Sequence, residues 1–486
     1  MKPNLQRMTR AAGAALLAGV LMTAGSRPAR AQSPQDVPRQ SPDVEQLKDK
    51  VKQLEQTVEE LKGQIKAIEN TQKEAAARQT TAAPVGENIA AGAPAPVPGG
   101  DAPAPKQEEK KVGGTFEVYG FAMLDSGFQF KQSHPDWYDV IRVTKLPSVK
   151  NEFGSDGNTF FGVRQTRLGV RSSTPTKYGE LKTLFEFELF GTGVDAGQTT
   201  FRLRHAYGEL GHFGAGQTNS VFMDGDVFPN SLEYWGPTGM VFFRNVQVRW
   251  MPIKGRSRVT IALEKPGGSG DPGTLADRVE LQDIKPTFKW PDLTGEARLG
   301  RDWGYVEVAG IIRSLRWVDR NDDNLDLGGS DIGWGINLSS NLNFGKNDVG
   351  RFQVVYGEGI ENYMNDSPVD VGAQINSNPD PRRPVRGVAL PVLGVVAFLD
   401  HTWNKKFSSA GGYSMQNIEN SDGQAPSAFR QGHYALGNLL FYPTEKTMVG
   451  GEFQFGRREN NSDGFTVNDY RMQFSFKYNF SKVFEF

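Results

Sequence analysis

The sequence contains no cysteine, carries almost no net charge and has no long apolar run beyond residue 30. Without cysteine, disulfide bridges and thiolate metal sites are excluded. The formal net charge of −1 argues against a nucleic-acid-binding protein, which would be strongly basic. A mean hydropathy of −0.49 resembles that of a water-soluble protein. A membrane β-barrel is still compatible with these values, because its strands alternate apolar and polar residues and each gives a weak signal.

The strongest pattern in the sequence lies at residues 471–486. Apolar residues occupy alternate positions there, which is typical of a strand with one apolar and one polar face. The stretch exceeds an ordinary strand of about 5–6 residues and is long enough to cross a bilayer, which takes roughly 9–11 residues. It therefore predicts the closing strand of an outer-membrane barrel. The apolar positions are Met472, Phe474, Phe476, Tyr478, Phe480, Phe484 and Phe486.

The same alternation recurs throughout residues 115–486. Long polar connections alternate with short connections along the chain, as in barrels with extracellular loops and periplasmic turns. Eight long connections predict sixteen antiparallel strands, which leave a lumen wide enough for water. We therefore expect an all-β fold, a 16-stranded antiparallel transmembrane β-barrel, preceded by an N-terminal α-helical coiled coil. The long connections are expected at residues 131–159, 191–199, 218–242, 265–284, 318–330, 359–393, 417–431 and 458–469.

The N-terminal region has three predicted parts. Residues 1–31 have a basic start, an apolar run and small residues before a cleavage point, which predicts a signal peptide. Residues 42–70 carry a heptad repeat typical of a coiled coil. Residues 71–114 are rich in Ala, Pro and Gly and predict a disordered linker. The heptad positions are Val44, Leu47, Val51, Leu54, Val58, Leu61, Ile65 and Ile68.

The residues of the predicted coil do not decide how many helices it contains. Valine at the first apolar position of the earlier heptads and leucine at the second favour a coil of two helices. The last heptad has isoleucine at both positions, which favours three or more helices. Because porin barrels are usually trimers, we expect a homotrimer. A single amphipathic helix lying on a globular domain is the alternative reading.

Arginine recurs on the predicted lumen face. An arginine facing lipid at mid-depth costs roughly 2–4 kcal/mol, so these side chains should point into water. There they would attract anions and bind carboxylates or phosphates with two hydrogen bonds each. The alternative is a structural arginine ladder, neutralised by Glu186, Glu188, Glu264, Glu307 and Glu452. The expected pore-lining arginines are Arg167, Arg171, Arg202, Arg204, Arg249, Arg258, Arg313 and Arg471.

The third long connection is unusually rich in Phe, Met and Gly for a loop exposed to solvent. A partly apolar loop is better placed inside the barrel, where it would narrow the pore. Asp224, Asp226 or Glu233 would then face the arginines. An interaction loop on the outer surface is the alternative.

No other chemistry stands out. The five histidines show no metal-ligand spacing, and there is no phosphate-binding loop or nucleophile elbow. The sequence therefore predicts a protein that is not an enzyme, with no catalytic residues, no metal and no cofactor.

Several segments resemble the DcaP-like porins of Gram-negative bacteria. They are FEVYGFAMLD at residues 116–125, FGVRQTRLGV at 161–170 and GQTNS at 216–220, together with the leader, coil and linker. The resemblance implies a trimeric porin in the outer membrane, with a periplasmic coil, that takes up small anions such as dicarboxylates. Outer-membrane lipid, further copies of the chain and these solutes are the expected partners. A phosphate-selective porin, a general porin and a tether that contacts the cell wall through the coil remain alternatives.

Overall fold

A computed structural model describes residues 113–377 and 380–486. The predicted signal peptide and coiled coil, and nearly all of the predicted linker, lie outside the described residues. No helix within the described ranges is long and apolar enough to cross a membrane.

Strands make up most of the described chain, and its helices are short 3₁₀ turns. The strands are β1 (Thr115–Gln129), β2 (Asn158–Gly162), β3 (Arg167–Thr176), β4 (Gly179–Phe190), β5 (Thr199–Leu210), β6 (Phe213–Asn219), β7 (Arg244–Ile253), β8 (Arg258–Glu264), β9 (Gly270–Asp271), β10 (Ile284–Pro286), β11 (Asp292–Arg301), β12 (Gly304–Asp319), β13 (Gly329–Phe344), β14 (Asp348–Glu358), β15 (Val371–Ile375), β16 (Val385–Ala389), β17 (Pro391–Asn404), β18 (Phe407–Ile418), β19 (Phe429–Thr444), β20 (Thr447–Asn460) and β21 (Thr466–Glu485). The 3₁₀ turns are Pro135–Trp137, Val143–Lys145, Gly193–Asp195, Gly225–Val227, Gly273–Leu275, Val279–Leu281 and Glu361–Tyr363.

Sixteen of these strands close into an antiparallel barrel, which confirms the barrel part of the predicted fold. Eighteen strands form one hydrogen-bonded sheet, and two of them, β2 and β10, are short pieces beside the ring. The other sixteen pair with their neighbours in chain order. The ring closes where β21 pairs with β1, from Thr115 opposite Glu485 to Gln129 opposite Arg471. A closed ring leaves no unpaired strand edge, as a membrane requires.

The two faces of β21 show why the sequence alternates. Phe474 and Phe476 lie on the outer face with 56% and 47% of their surface exposed. Gln473 and Ser475, on the opposite face, are buried. The apolar residues therefore face outward and the polar ones inward, which is the reverse of a water-soluble β-sandwich.

All eight long connections lie at one end of the barrel, because every strand pair is antiparallel. They are residues 130–166, 191–198, 220–243, 265–291, 320–328, 359–390, 419–428 and 461–465. The other end carries short turns.

The segment 161–170 is not one continuous strand. β2 and β3 both pair with β1, but residues 163–166 interrupt them. Arg164 lies in this interruption and is fully buried, with its Nε donating to Asp139 Oδ2 at 2.8 Å. The break therefore turns an arginine inward to hold the first long connection.

Candidate functional site in the lumen

The connection between β6 and β7, residues 220–243 and called L3 below, lies inside the barrel. Its Asp224 carboxylate accepts hydrogen bonds from Arg298 Nη2 at 2.7 Å, from the Tyr305 hydroxyl at 2.7 Å and from the Ser339 hydroxyl at 2.6 Å. These donors belong to β11, β12 and β13. L3 is therefore fastened to the inner wall near its start.

The apolar residues of L3 pack against an apolar part of the inner wall. Phe222, Met240 and Val241 are completely buried. Burial of each large apolar side chain contributes roughly 1.5–3 kcal/mol, so the contact holds L3 to this wall. One side of the barrel interior is consequently a packed core. Its wall residues on β12, β14, β17, β18 and β19 are Ala309, Ile311, Val355, Val392, Val396, Phe398, Ala410, Tyr434 and Leu436.

L3 approaches the wall closely at Gly239, where φ is +71°. A Cβ at this position would lie 2.1 Å from the carbonyl oxygen of Met415 on β18. Likewise, a Cβ on Gly394 of β17 would lie 2.1 Å from the carbonyl oxygen of Gly239. Side chains at either glycine would push the loop away, so both positions require the absence of a Cβ.

Two wall carboxylates bind the backbone of L3. Glu264 Oε1 accepts a hydrogen bond from Val221 N at 2.9 Å. Glu452 accepts from Leu232 N at 2.7 Å and from Glu233 N at 3.0 Å. The strand pattern predicts Glu264 and Glu452 as possible counter-charges of the arginines, but both hold L3 instead.

A second group of charges lies on β3, β4 and β5, away from the apolar core. Arg204 donates to Glu186 and to Glu188, each at 2.6 Å. Arg202 Nε lies 3.0 Å from Glu188. Arg167 lies 3.5 Å from Glu186 and 3.6 Å from Glu188. The side chains of Arg167 and Arg202 keep 25% and 22% of their surface exposed, so both reach the water of the lumen.

Arg244, the first residue of β7, completes this group. Its Nη2 lies 3.9 Å from Glu188. Tyr234 of L3 donates its hydroxyl hydrogen to Glu188 and accepts from Arg202 at 3.2 Å and from Arg204 at 3.3 Å. Four arginines thus share two carboxylates, which leaves an excess of two positive charges. We call this group the basic cluster: Arg167, Glu186, Glu188, Arg202, Arg204 and Arg244.

Lys477 adds a further positive charge next to the basic cluster. Its ammonium lies 4.0 Å from the centre of the Phe121 ring, and the Arg167 guanidinium lies 5.2 Å from the same ring. An aromatic face attracts cations, so the Phe121 ring favours both positive charges near it.

The charges on β8, β11 and β12 have the opposite balance. Arg258 lies 2.8 Å from Glu296 and 2.8 Å from Glu307. Arg298 lies 2.5 Å from Glu307 and 2.5 Å from Asp226 of L3. Two arginines here share four carboxylates. We call this group the acidic cluster: Asp224, Asp226, Arg258, Glu296, Arg298 and Glu307.

A cavity of about 730 Å³ lies along β1, β3, β4, β5 and β7. Arg171 lines it and pairs with Glu117 at 2.6 Å, with 60% of the arginine side chain exposed. Arg249 also lines it and donates to Gln247 and to the Asn219 carbonyl, without a carboxylate partner among the described residues. This cavity shares strands β3, β4, β5 and β7 with the basic cluster, but no residue of that cluster lines it.

The structure places the eight expected arginines in different environments. Arg167, Arg171, Arg202, Arg249 and Arg258 are partly exposed on the inner side, and Arg204 is mostly buried between its two glutamates.

Arg313 and Arg471 do not line the pore, which corrects the sequence analysis. Both point inward, but both are buried. Arg313 pairs with Asp292 at 3.1 Å and with Asp370 of the 359–390 connection at 2.8 Å. Arg471 donates to the Val140 carbonyl of the first long connection at 2.9 Å. Long connections fold over both arginines and use them as anchors.

The three expected acids of L3 also separate. Asp224 and Glu233 are buried. Glu233 accepts from Ile141 N at 3.2 Å and does not face the arginines of the basic cluster. Only Asp226, with 60% of its side chain exposed, reaches the lumen while bound to Arg298.

Five residues of the two clusters and their surroundings were not predicted from the sequence: Tyr234, Arg244, Glu296, Arg298 and Lys477. Strand parity would have identified Arg298, because Leu293, Ala297 and Leu299 occupy the opposite face of β11. Tyr234 carried no such signal, because its position depends on the path of L3.

Comparison with known proteins gives the family. The model of the family described as DcaP outer membrane protein matches residues 113–480. A search of curated proteins found no significant match.

A solved structure shares the fold, and a second one aligns over a similar range. The outer membrane channel DcaP of Acinetobacter baumannii aligns with a TM-score of 0.62 at 19% identity, covering 77% of this chain and 99% of that chain. An anion-selective porin from Comamonas acidovorans aligns with a TM-score of 0.48 at 10% identity, covering 76% of this chain and 100% of that chain. Since the family match spans almost the whole barrel, this chain belongs to the DcaP outer membrane protein family.

Proposed function

We propose that the chain is a passive channel for small organic anions, with dicarboxylates as the preferred class. The observation that carries this proposal is the basic cluster, where four arginines share two carboxylates and two of the arginines keep exposed surface on the inner face of the barrel. Its excess charge attracts anions into a confined water path.

Arginine suits the recognition of a carboxylate, because its planar guanidinium offers two parallel donors. Arg167 and Arg202 retain exposed surface, so a solute reaches them without displacing Arg204 from its glutamates. Lys477 and Arg249 are further cations of the inner wall for a second carboxylate. Binding stays weak and reversible because each of these contacts is made in water.

The acidic cluster does not cancel this preference. Its carboxylates, except Asp226, have side chains exposed by less than a tenth and are bound to arginine. At physiological ionic strength, screening acts over about 8 Å, so a passing solute responds mainly to the charges nearest to its path.

The test is ion selectivity in planar bilayers. In a potassium chloride gradient, the wild-type channel should show an anion-preferring reversal potential. Adding succinate should reduce the chloride current. The double variant Arg167→Gln/Arg202→Gln should lower the chloride-to-potassium permeability ratio severalfold and weaken the block by succinate, because two accessible charges are lost.

Arg256→Gln is the matched control, since Arg256 is an exposed arginine in a short turn, paired with Asp302 at 2.9 Å. It should leave selectivity unchanged. Cation preference in the wild type would contradict the proposal. Stronger block by phosphate than by succinate would replace dicarboxylates with phosphate as the preferred solute.

We also propose that the protein acts as a homotrimer whose assembly involves the heptad repeat of residues 42–70. Native mass spectrometry should give trimers for the full chain and a less stable trimer after deletion of residues 32–111. A monomeric full chain would contradict this.

A further inference from the structure

Two charged residues of β20 lie on the outer face of the barrel, near the long connections. Along this strand the even positions are buried toward the interior, and the odd positions occupy the opposite face. Phe453, an odd position, has 44% of its surface exposed, so the odd positions face outward. Arg457 and Glu459 therefore point away from the lumen, whereas Arg458 between them is buried inside. Glu459 is one residue from the end of β20, where the 461–465 connection begins.

The neighbouring strands bring further polar side chains to this place. His433 of β19 lies opposite Arg457, and Asn468 of β21 lies opposite the same arginine on its other side. Cross-strand partners share one face of a sheet, so His433 and Asn468 also point outward. Arg430 joins them from an irregularity in the pairing of β19 with β20. We call this group the outer cluster: Arg430, His433, Arg457, Glu459 and Asn468.

The outer cluster has an excess of positive charge. Arg457 Nε lies 2.8 Å from the Glu459 carboxylate, and Arg430 Nη2 lies 3.1 Å from the same group. Arg457 Nη1 also donates to the Asn468 side-chain oxygen at 3.2 Å, which is a neutral partner. Two guanidiniums therefore share a single carboxylate.

Both arginines retain donors for a further acceptor. Within the described part of the chain, the Arg430 side chain bonds through Nη2 alone, and Arg457 leaves its Nη2 unbonded. The two side chains are 45% and 34% exposed, so an anion outside the barrel reaches them. Because both guanidiniums bind the same carboxylate, an anion with several oxygens finds two sets of donors in one place.

Aromatic residues place the outer cluster at the edge of the membrane. Tyr470, the next outward position of β21 after Asn468, has its ring centre 5.5 Å from that of Phe455. The Tyr413 hydroxyl of β18 hydrogen-bonds to His433. Tyrosine is enriched where hydrocarbon meets the lipid headgroups. A charge on the lipid face is costly at mid-depth but costs little near this boundary. The two arginines therefore lie at the level of the headgroups.

The long connections identify the leaflet. In outer-membrane barrels the long connections are extracellular and the short turns periplasmic. The outer cluster lies at the end of the barrel that carries the 419–428 and 461–465 connections. It consequently meets the headgroups of the outer leaflet.

We propose that the outer cluster binds a phosphate group of a phosphorylated, acylated glycolipid of the outer leaflet. Arg430 and Arg457 are the donors to the phosphate, as basic residues at headgroup level are for anionic lipids. The acyl chains lie against outward apolar residues of the same strands, such as Phe453 and its cross-strand partner Met472. The proposal does not depend on which solutes pass the lumen, because the outer cluster lies on the other face of the barrel wall.

The test is native mass spectrometry of the full chain in a nonionic detergent, with the affinity for the first lipid bound as the readout. The probes are bisphosphorylated lipid A, monophosphorylated lipid A and the zwitterionic phosphatidylethanolamine. Bisphosphorylated lipid A should bind most tightly and phosphatidylethanolamine most weakly, because binding follows the negative charge. Arg430→Gln/Arg457→Gln should weaken the binding of bisphosphorylated lipid A about tenfold, since its charged donors are lost.

Glu459→Gln should have the opposite effect. It removes the carboxylate that competes with phosphate for both guanidiniums, so bisphosphorylated lipid A should bind more tightly. Arg256→Gln is the matched control, since Arg256 is an exposed arginine with a carboxylate partner at the other end of the barrel. It should bind this lipid as the wild type does.

Weaker binding in the double variant and tighter binding in Glu459→Gln together support the proposal, and the absence of either effect overturns it. Should the double variant fail to fold, Arg430→Gln, at the more exposed of the two arginines, takes its place. Displacement of the lipid by inorganic phosphate at equal concentration would indicate a site for free phosphate and overturn the lipid assignment. Loss of oligomers in the double variant, with unchanged lipid affinity, would make the outer cluster a contact between copies of the chain and likewise overturn it.

Discussion

Gly239 of L3 and Gly394 of β17 meet backbone against backbone, with no room for a methyl group between them. This contact lies in the apolar half of the barrel interior and brings the loop flat against the wall. It ties the position of L3, and hence the width of the pore, to two residues without side chains.

We expect Gly394→Ala to displace L3 toward the open side of the lumen. Overpacking of this kind costs about 1–3 kcal/mol. Single-channel conductance should fall, and the free energy of unfolding should decrease. Gly437→Ala on β19 is the control, since a Cβ there would meet nothing within 4 Å. Equal conductance of the two variants would show that L3 does not depend on the glycine contact.

Tyr234→Phe should loosen the link between L3 and the basic cluster. The ring would still stack on Phe190, where the ring centres lie 4.2 Å apart. The hydroxyl bonds to Glu188, Arg202 and Arg204 would be lost. We expect larger fluctuations of the open-channel current, and larger ones again in Tyr234→Ala, where the stack is lost too. Unchanged current noise in both variants would be evidence against this link.

Two acids of L3 should behave differently despite lying two positions apart. Asp226→Asn removes an exposed charge, so it should shift the reversal potential toward anions with little change in stability. Asp224→Asn weakens three buried hydrogen bonds and should lower the free energy of unfolding by roughly 1.5–3 kcal/mol. Reversal potentials and urea unfolding distinguish the two variants. A loss of stability in Asp226→Asn together with unchanged stability in Asp224→Asn would contradict the structure.

Glu361, in the 359–390 connection, should make stability depend on pH. Burial raises its pKa well above the ordinary value of 4.5, and the nearby Asp370 raises the pKa further against the opposing effect of Arg313. The folded state therefore favours the protonated carboxyl, and its stability falls as the pH rises above 4.5. Glu361→Gln should unfold at a higher temperature than the wild type at pH 8 and should show a smaller difference at pH 5. A wild-type loss of stability between pH 5 and pH 8 that persists in the variant would exclude Glu361 as its source.

The sequence was sufficient for the barrel because each membrane-facing strand carries its own alternation. Phe474 faces outward and Gln473 faces the interior of the barrel. The alternation within this one strand predicts both directions without information about the neighbouring strands. The same reasoning located the five partly exposed lumen arginines. It also applied to Arg298, which the sequence analysis overlooked.

The packed half of the interior could not be predicted in this way. In β17, Val392, Val396 and Phe398 face L3, while Leu399 on the other face lies exposed. With both faces apolar, the alternation disappears, and such a run does not show which side meets a loop. The burial of Arg313 and Arg471 depends on long connections folding back, which is a tertiary event without a local signal.

Because L3 packs against one side of the interior, the number of strands does not by itself define the path open to a solute. A ring of sixteen strands alone would surround a wide passage centred on the barrel axis. Since L3 and the apolar wall pack together on one side, the space left for a passage is eccentric and lies toward the strip of strands that bears the basic cluster. Under the proposed function, we expect a solute to cross along this strip, so that a few guanidiniums rather than the circumference of the cylinder decide which molecules pass.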